Sequence, residues 1–255
     1  KMLAGTGVAF TQPELSNVPV NYRGMTLDRL KQAMRQHVAT IVREIQPDYV
    51  TVANEPSTET ALTGVALSVQ DYTDMVNFIL NGLDRRGVLV GAGTGNWDAP
   101  AYIESLAQNT TLDYIDLHVY PVNRDYLTRA IQQADIARAN GKRIIIGEMW
   151  LYKAGAQEIG GASAVEIISR DVFSFWQPLD SKFLELLVRF ARQKQIEFVS
   201  PFWSKYFFAY RDYETTKKGV SRKELLQLAD VAASRQIVAN AFSQTGLTYQ
   251  RLAAQ

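Results

Sequence analysis

The stretch Val50-Thr51-Val52-Ala53-Asn54-Glu55-Pro56 decides the fold, together with a second stretch of the same form, Ile144-Ile145-Ile146-Gly147-Glu148-Met149-Trp150. Each is a short apolar run that ends in a glutamate, which is typical of a buried parallel strand with a polar residue at its tip. The two glutamates lie 93 residues apart, about three times the ~31 residues of one strand–helix unit in an eight-unit barrel. This spacing predicts equivalent positions three units apart.

The rest of the chain alternates short apolar runs with longer stretches of helical period, which indicates a single parallel α/β domain over residues 1–255. Strands are predicted near residues 49–54, 87–92, 113–119, 142–148 and 196–203, with a weaker one near 3–10. Helices are predicted over residues 27–45, 70–85, 99–108, 124–140, 181–195 and 221–243. Gly141 predicts a helix end, Ser221 with Glu224 a capping box, and Asp180 or Ser181 a helix start.

The predicted architecture is a (β/α)8 TIM barrel that lacks its first two βα units in this chain. Eight strands close such a barrel, and the segment after Trp203 shows only helix and loop signals. The missing units are therefore expected upstream of Lys1, unless two strands are hidden in segments that resemble loops. Because an open sheet exposes strand edges and apolar side chains, we expect self-association through the open barrel edge.

Composition limits the partners. The 27 basic and 26 acidic residues leave a formal charge of +1, which argues against a nucleic-acid partner or an anionic membrane surface and favours a neutral substrate. The absence of cysteine excludes disulfides, thiolate nucleophiles and cysteine-ligated metals. No apolar run approaches the ~20 residues that span a bilayer, so no membrane insertion is expected. No cofactor is predicted.

The two glutamates suit glycosidic bond hydrolysis. Reactive groups of parallel barrels lie at the carboxyl ends of strands, where Glu55 and Glu148 are predicted. Hydrolysis needs one carboxyl group to protonate the departing oxygen and a second to attack or to activate water, ~5–5.5 Å apart in retaining enzymes and ~6.5–9.5 Å apart in inverting ones. Strand tips that face each other across a barrel mouth can supply the shorter spacing.

These motifs resemble clan A of the retaining (β/α)8 glycoside hydrolases, which includes cellulases, β-mannanases and endo-β-1,4-galactanases. The resemblance covers residues 49–203 and rests on Asn54-Glu55-Pro56, Gly147-Glu148, the strand-end His118-Val119-Tyr120, and Trp203. The second-strand arginine of the clan has no counterpart here, which puts the activity of the chain as it stands in doubt.

The resemblance also implies roles for individual residues. Glu55 would be the acid/base and Glu148 the nucleophile of a double displacement on β-linked glycans. Asn54 would bind the sugar 2-hydroxyl, and His118 with Tyr120 would orient the nucleophile. The resemblance further implies an oligo- or polysaccharide substrate and a secreted or periplasmic location, while the residues themselves leave the compartment open.

Aromatic residues follow several predicted strands, as a sugar-binding cleft requires, because pyranose faces stack on aromatic rings. The predicted platforms are Trp97, Tyr120, Trp150 and Trp203. The long connection 149–180 is interpreted as a lid or subsite wall, or alternatively as aromatic packing over the barrel rim.

Two other classes of function stay open. Glu55, His118 and Glu148 could hold a divalent metal, as in barrel isomerases or aldolases, although such sites usually recruit more ligands. The chain could also be a non-catalytic carbohydrate-binding barrel. Three further carboxylates near the cleft are expected to be solvated or capping rather than catalytic: Glu14, Glu59 and Asp98.

Overall fold

The computed structural model describes residues 1–9, 11, 20–159, 161–216 and 219–254. Its framework is one six-stranded parallel sheet with the strands hydrogen-bonded in chain order. The strands are β1 Leu3–Gly5, β2 Tyr49–Thr51, β3 Leu89–Gly95, β4 Tyr114–Val119, β5 Arg143–Met149 and β6 Val199–Pro201. Neighbouring strands in chain order, with helices between them, are consecutive βα units. The fold class and the six strands predicted from the sequence are confirmed.

Nine α-helices lie between and after the strands of the described chain. They are α1 Leu27–Glu44, α2 Pro56–Thr63, α3 Val69–Leu80, α4 Pro100–Asn109, α5 Arg124–Ala139, α6 Ala164–Ile168, α7 Gln177–Gln193, α8 Arg222–Val238 and α9 Gln244–Ala253. The apolar periodicity located most of them within a few residues. None of the described helices combines the length and the hydropathy needed to cross a membrane.

Local signals fixed some helix ends and failed at others. Gly141 follows α5 with φ of 71°, as predicted. The Ser221 side chain caps α8 by accepting from the Glu224 N–H, which is one half of the predicted capping box. The predicted start of α7 at Asp180 or Ser181 is wrong, because α7 begins at Gln177 and buries Asp180 inside the helix. The predicted helix 221–243 ends at Val238, and Ser243 caps a separate helix, α9.

The amino-terminal halves of the strands meet in an aromatic and aliphatic layer. Its centre is Tyr49, Tyr114 and Ile145, all nearly or fully buried. Leu3, Leu89 and Phe198 pack against this centre. Tyr114 lies so close to β3 that a Cβ on Gly91 would come 2.1 Å from its ring, so only glycine fits there. This apolar layer lies at the amino-terminal halves of the strands, whereas the polar residues of the site lie at their carboxyl ends.

Contacts within the chain group into two compact units. Unit 1 comprises Lys1–Tyr120, Arg124–Glu148 and Lys194–Ser200, and unit 2 comprises Pro121–Asn123, Met149–Gln193 and Pro201–Gln255. A single domain over residues 1–255 stays a prediction. The strand predicted near residues 3–10 is confirmed over Leu3–Gly5, while Phe10 and Glu14 lie outside the described residues.

Candidate active site

Unit 1 brings both glutamates of the sequence prediction together. Glu148 belongs to β5, and Glu55 follows β2 as the residue before α2. One oxygen of each carboxyl and one ring nitrogen of His118 lie within 4.8 Å of one another. Glu55 has φ of 49° and ψ of 65°, a left-handed backbone that costs a non-glycine residue energy and occurs often at functional sites.

His118 lies beside both carboxyl groups. Its Nδ1 is 2.6 Å from Glu55 Oε1 and 3.8 Å from Glu148 Oε2. Burial disfavours the charged imidazolium, but the hydrogen bond to Glu55 and the negative charges of Asp116 and Glu148 outweigh it and raise the pKa of His118 to about 9. At neutral pH the imidazole is therefore a cation that contacts Glu55 directly, whereas the resemblance implied a role toward the nucleophile.

Tyr120 contacts the other carboxyl. Its phenolic O–H donates to Glu148 Oε1 over 2.5 Å, which matches the orienting role that the resemblance implied for it. Burial is the main cause that raises the pKa of Glu148 to about 7, with the charge of Glu55 adding to it, while His118 and the Tyr120 hydrogen bond oppose the shift. Near neutral pH the Glu148 carboxyl is therefore close to the midpoint of its titration.

Asp116 is a site residue that the sequence analysis did not single out. It is buried and lies two residues before His118 on the same face of β4. Its carboxylate accepts from Thr51 Oγ1 over 2.6 Å and from the Gly147 N–H over 2.7 Å. Its Oδ2 is 3.9 Å from His118 Nε2. The alternation Tyr114, Asp116, His118, Tyr120 places every second residue of β4 on one face. That periodicity was the signal that could have identified it.

Two carboxylates expected to be solvated or capping are buried. Glu59 is 1% exposed, and neither of its oxygens has a hydrogen-bond partner among the described residues. Burial, with repulsion from Glu55 added, raises the pKa of Glu59 to about 8, so the group is protonated at neutral pH. Asp98 is 3% exposed and accepts from the Gly95 and Ser57 N–H groups. The expectation of solvent exposure is wrong for Glu59, which α2 turns inward. Asp98 is buried but caps a helix, because it accepts from the N–H of Ser57 in the first turn of α2.

Asn54 and Trp97 lie in unit 1 with partly exposed side chains. Asn54 directly precedes Glu55, and its Oδ1 lies 3.6 Å from the position of a Cβ on Gly7. The Trp97 ring packs across Gly95 and is 5.8 Å from the Tyr120 ring. Both residues are therefore available to a ligand near the two glutamates.

Trp150 and Trp203 belong to unit 2, and the platform role predicted for Trp150 needs correction. Trp150 is fully buried, with its ring against Phe183, Tyr206 and Phe207. An aromatic ring without an exposed face cannot stack on a sugar, so Trp150 is a core residue. The platform role predicted for Tyr120, which is 1% exposed, is wrong for the same reason. Trp203 is partly exposed, with the Lys205 ammonium 5.1 Å from its ring.

The connection 149–180 also contains a buried charge cluster in unit 2. The ammonium of Lys153 donates to Asp180 and lies 3.3 Å from Asp171 Oδ1, with all three side chains fully buried. Burial, with the charge of Asp180 adding to it, raises the pKa of Asp171 to about 7, although Lys153 opposes the shift. This cluster ties the connection to α7. The predicted lid or subsite wall stays a prediction.

Comparison with known proteins gives fold-level similarity to glycoside hydrolases. No family model and no curated protein matches the chain. Among solved structures, it is similar to an endo-1,4-beta-xylanase from Caldicellulosiruptor owensensis, with 15% identity and a TM-score of 0.46 over 74% of this chain and 63% of that one. It is also similar to xylanase XynB from Paenibacillus barcinonensis, with 13% identity and a TM-score of 0.43 over 92% and 70% of the two chains.

A third similar structure is a Glycoside Hydrolase Family 5 mannosidase from Rhizomucor miehei, with 15% identity and a TM-score of 0.42 over 68% of this chain and 46% of that one. The chain thus spans less than two thirds of the length of the first and third of these structures. The similar solved structures are thus glycoside hydrolases, the class that the sequence motifs resemble. At these identities and TM-scores the similarity carries no argument about family or activity.

Proposed function

We propose that this protein hydrolyses β-linked glycans by a retaining double displacement, with Glu55 as acid/base and Glu148 as nucleophile. The observation that carries the proposal is that a carboxyl oxygen of Glu55 and one of Glu148 lie within 4.8 Å of each other at the carboxyl ends of two strands. Retaining glycosidases need a separation of about 5–5.5 Å, and inverting ones leave about 6.5–9.5 Å for a water molecule. The short separation favours direct attack by a carboxylate.

The proposed reaction has two steps. In the first, a Glu148 oxygen bonds to the anomeric carbon while the glycosidic C–O bond breaks, and Glu55 gives its proton to the departing oxygen. In the second, Glu55 takes a proton from water, the water oxygen bonds to the anomeric carbon, and the bond to Glu148 breaks. Each step inverts the anomeric carbon, so the product retains the starting configuration.

One neighbour of the pair, Tyr120, favours Glu148 as the nucleophile. A nucleophilic carboxylate must be ionised, and the Tyr120 O–H stabilises that form of Glu148 by donating to it. His118, hydrogen-bonded to Glu55 and 3.8 Å from Glu148, faces both carboxyls. It can therefore respond to the charge that moves between them during the two steps.

The metal-site alternative is less well supported. Glu55, His118 and Glu148 do offer three ligand atoms within 4.8 Å, but a histidine must be neutral to bind a metal. The pKa of His118, raised to about 9, and the hydrogen bond from its Nδ1 to Glu55 both oppose that state. We expect hydrolysis to be unchanged by EDTA. Loss of activity with EDTA and recovery with Mn²⁺ or Zn²⁺ would favour the metal site.

The decisive experiment identifies the role of each carboxyl from the product that forms when that carboxyl is removed. Aryl β-glycosides and soluble β-mannan, β-galactan, β-glucan and β-xylan are screened first, and the anomer released is read by NMR. Glu55→Ala and Glu148→Ala are then assayed with an activated aryl glycoside plus azide, with Glu104→Gln on the exposed face of α4 as the control.

We expect azide to restore turnover of Glu55→Ala with a β-glycosyl azide product, because azide attacks the covalent intermediate. Glu148→Ala should give the α-azide, because azide replaces the nucleophile itself. If Glu55→Ala instead gives the α-azide and Glu148→Ala the β-azide, Glu55 is the nucleophile and Glu148 the acid/base. Glycan binding by the wild type without hydrolysis of any substrate would instead identify a non-catalytic carbohydrate-binding barrel.

A further inference from the structure

Asp116 links three of the strands that form the site. Its Oδ2 accepts from Thr51 Oγ1 on β2, and its Oδ1 accepts from the backbone N–H of Gly147 on β5. Its Oδ2 also faces His118 Nε2 at 3.9 Å, two residues further along β4. Each of these neighbours can donate a proton or carries positive charge. Burial raises the pKa of Asp116, while these three neighbours favour its ionised form and oppose the shift.

The space around Asp116 is equally specific. A Cβ on Gly147 would lie 2.4 Å from Asp116 Oδ1, far inside contact distance, so the carboxylate occupies the volume that a side chain would need. Gly147 directly precedes Glu148. A hydrogen bond to a charged acceptor is stronger than one to a neutral group, and this one fixes the backbone at the residue before the proposed nucleophile.

We propose that Asp116 is a positioning residue of the active site: it anchors the Gly147 amide that sets the backbone of Glu148, and it faces the far edge of the His118 imidazole so that Nδ1 is directed at Glu55. This inference rests on the proposed function for its catalytic consequence. The contacts themselves do not depend on it. One buried carboxylate thereby couples the geometry of both proposed catalytic groups.

The same strand offers a matched control. Asp113, just before β4, also accepts a backbone amide, that of Val90 over 2.7 Å, and pairs with Arg85. It lies at the opposite end of the strand from His118. Asp113→Asn therefore removes a carboxylate with similar bonding from the same strand without touching the site.

The test compares Asp116→Asn with Asp113→Asn in the full chain by NMR and kinetics. Asparagine keeps the size and can still accept from Gly147, but it removes the charge. In Asp116→Asn we expect the Gly147 amide proton to move upfield and exchange faster, and the pKa of the His118 imidazole to fall, read from its ring ¹⁵N shifts. His37, exposed on α1, is the second of the two histidines and serves as the internal reference.

For kinetics with an aryl β-glycoside, we expect Asp116→Asn to lower kcat roughly tenfold to a hundredfold while KM changes less than about threefold, since misplaced catalytic groups affect the transition state more than binding. The limbs of the pH–rate profile should also shift. Asp113→Asn should leave kcat, KM and the His118 titration unchanged. A purely structural role would lower the melting temperature in both variants without separating kcat from KM.

Wild-type kcat in Asp116→Asn, or an unchanged Gly147 amide and His118 titration, would overturn the proposal. If Asp116→Asn does not fold, Thr51→Val is used instead, because it removes one donor to Asp116. We expect it to shift the Gly147 amide and His118 ring signals in the same direction by a smaller amount, and unchanged signals in Thr51→Val would also overturn the proposal. If the wild type hydrolyses no glycan, the proposed function fails, while the NMR measurements still decide whether Asp116 holds both neighbours.

Discussion

Replacing Glu59 with glutamine should make the protein more stable at neutral and alkaline pH. Glu59 lies in α2, four residues after Glu55, and is 1% exposed without a hydrogen-bond partner for its carboxyl among the described residues. Burial and the charge of Glu55 raise its pKa to about 8. The wild type must therefore either keep a proton on Glu59 or bury an unpaired charge.

The size of the effect follows from linkage. The folded state binds the Glu59 proton more tightly than the unfolded state, whose glutamate pKa is about 4.3. The contribution of Glu59 to stability is thus fully present below about pH 4.3 and is lost as pH rises to about 8. The loss is ~1.4 kcal/mol per pH unit in the middle of that window and becomes smaller near pH 8, so the wild type should lose ~2 kcal/mol between pH 6 and pH 8 through this group.

The assay is urea unfolding of wild type, Glu59→Gln and the exposed control Glu104→Gln at pH 5, 6.5 and 8. Glutamine has nearly the same shape and no ionisation, so the free-energy difference between Glu59→Gln and wild type should grow with pH by ~2 kcal/mol or more. The Glu104→Gln difference should stay constant. If the Glu59→Gln difference also stays constant with pH, Glu59 is not a buried proton carrier and the reasoning is refuted.

Three other substitutions test the two units. Tyr120→Phe removes the O–H that donates to Glu148, so kcat should fall about tenfold or more and the acid limb of the pH–rate profile should move to higher pH; an unchanged profile contradicts this. Lys153→Met leaves two buried aspartates without their ammonium partner and should lower the unfolding free energy by ~3–5 kcal/mol, whereas a loss below ~1 kcal/mol would mean that water compensates them. Gly147→Ala places a methyl group 2.4 Å from a carboxylate oxygen, so it should lower the unfolding free energy by ~1–3 kcal/mol and also lower the activity. Gly5→Ala, whose added Cβ would be 3.9 Å from its nearest neighbour, should change neither stability nor activity.

The sequence predicted the features that depend on short-range periodicity. The apolar runs before Glu55 and Glu148 located β2 and β5, and alternation along β4 placed His118 and Tyr120 on one face. The carboxyl ends of parallel strands lie at the same edge of the sheet. For this reason the approach of the two glutamates, separated by 93 residues, could be predicted without coordinates.

Burial set by distant packing could not be predicted in the same way. Trp150 follows a strand just as Trp97 does, but its surroundings come from residues 33 or more positions away, Phe183 and Tyr206. The polarity of Glu59 predicts exposure, whereas α2 turns it into the protein. At α7, the acidic residue expected to cap the helix is instead neutralised by Lys153, a pairing that the local sequence does not reveal.

The protonation of the Glu148 carboxyl decides how the site works. A retaining reaction needs one carboxyl with a proton to give and a second, ionised carboxyl to attack. The pKa of Glu148, raised to about 7, favours the resting proton on Glu148, whereas the proposed first step needs it on Glu55. One oxygen of Glu55 and one of Glu148 lie within 4.8 Å of each other, so transfer on substrate binding is a short step. If the proton stays on Glu148 in the complex, Glu148 is the acid and Glu55 the nucleophile, and Glu55→Ala with azide will yield the α-glycosyl azide rather than the β-anomer.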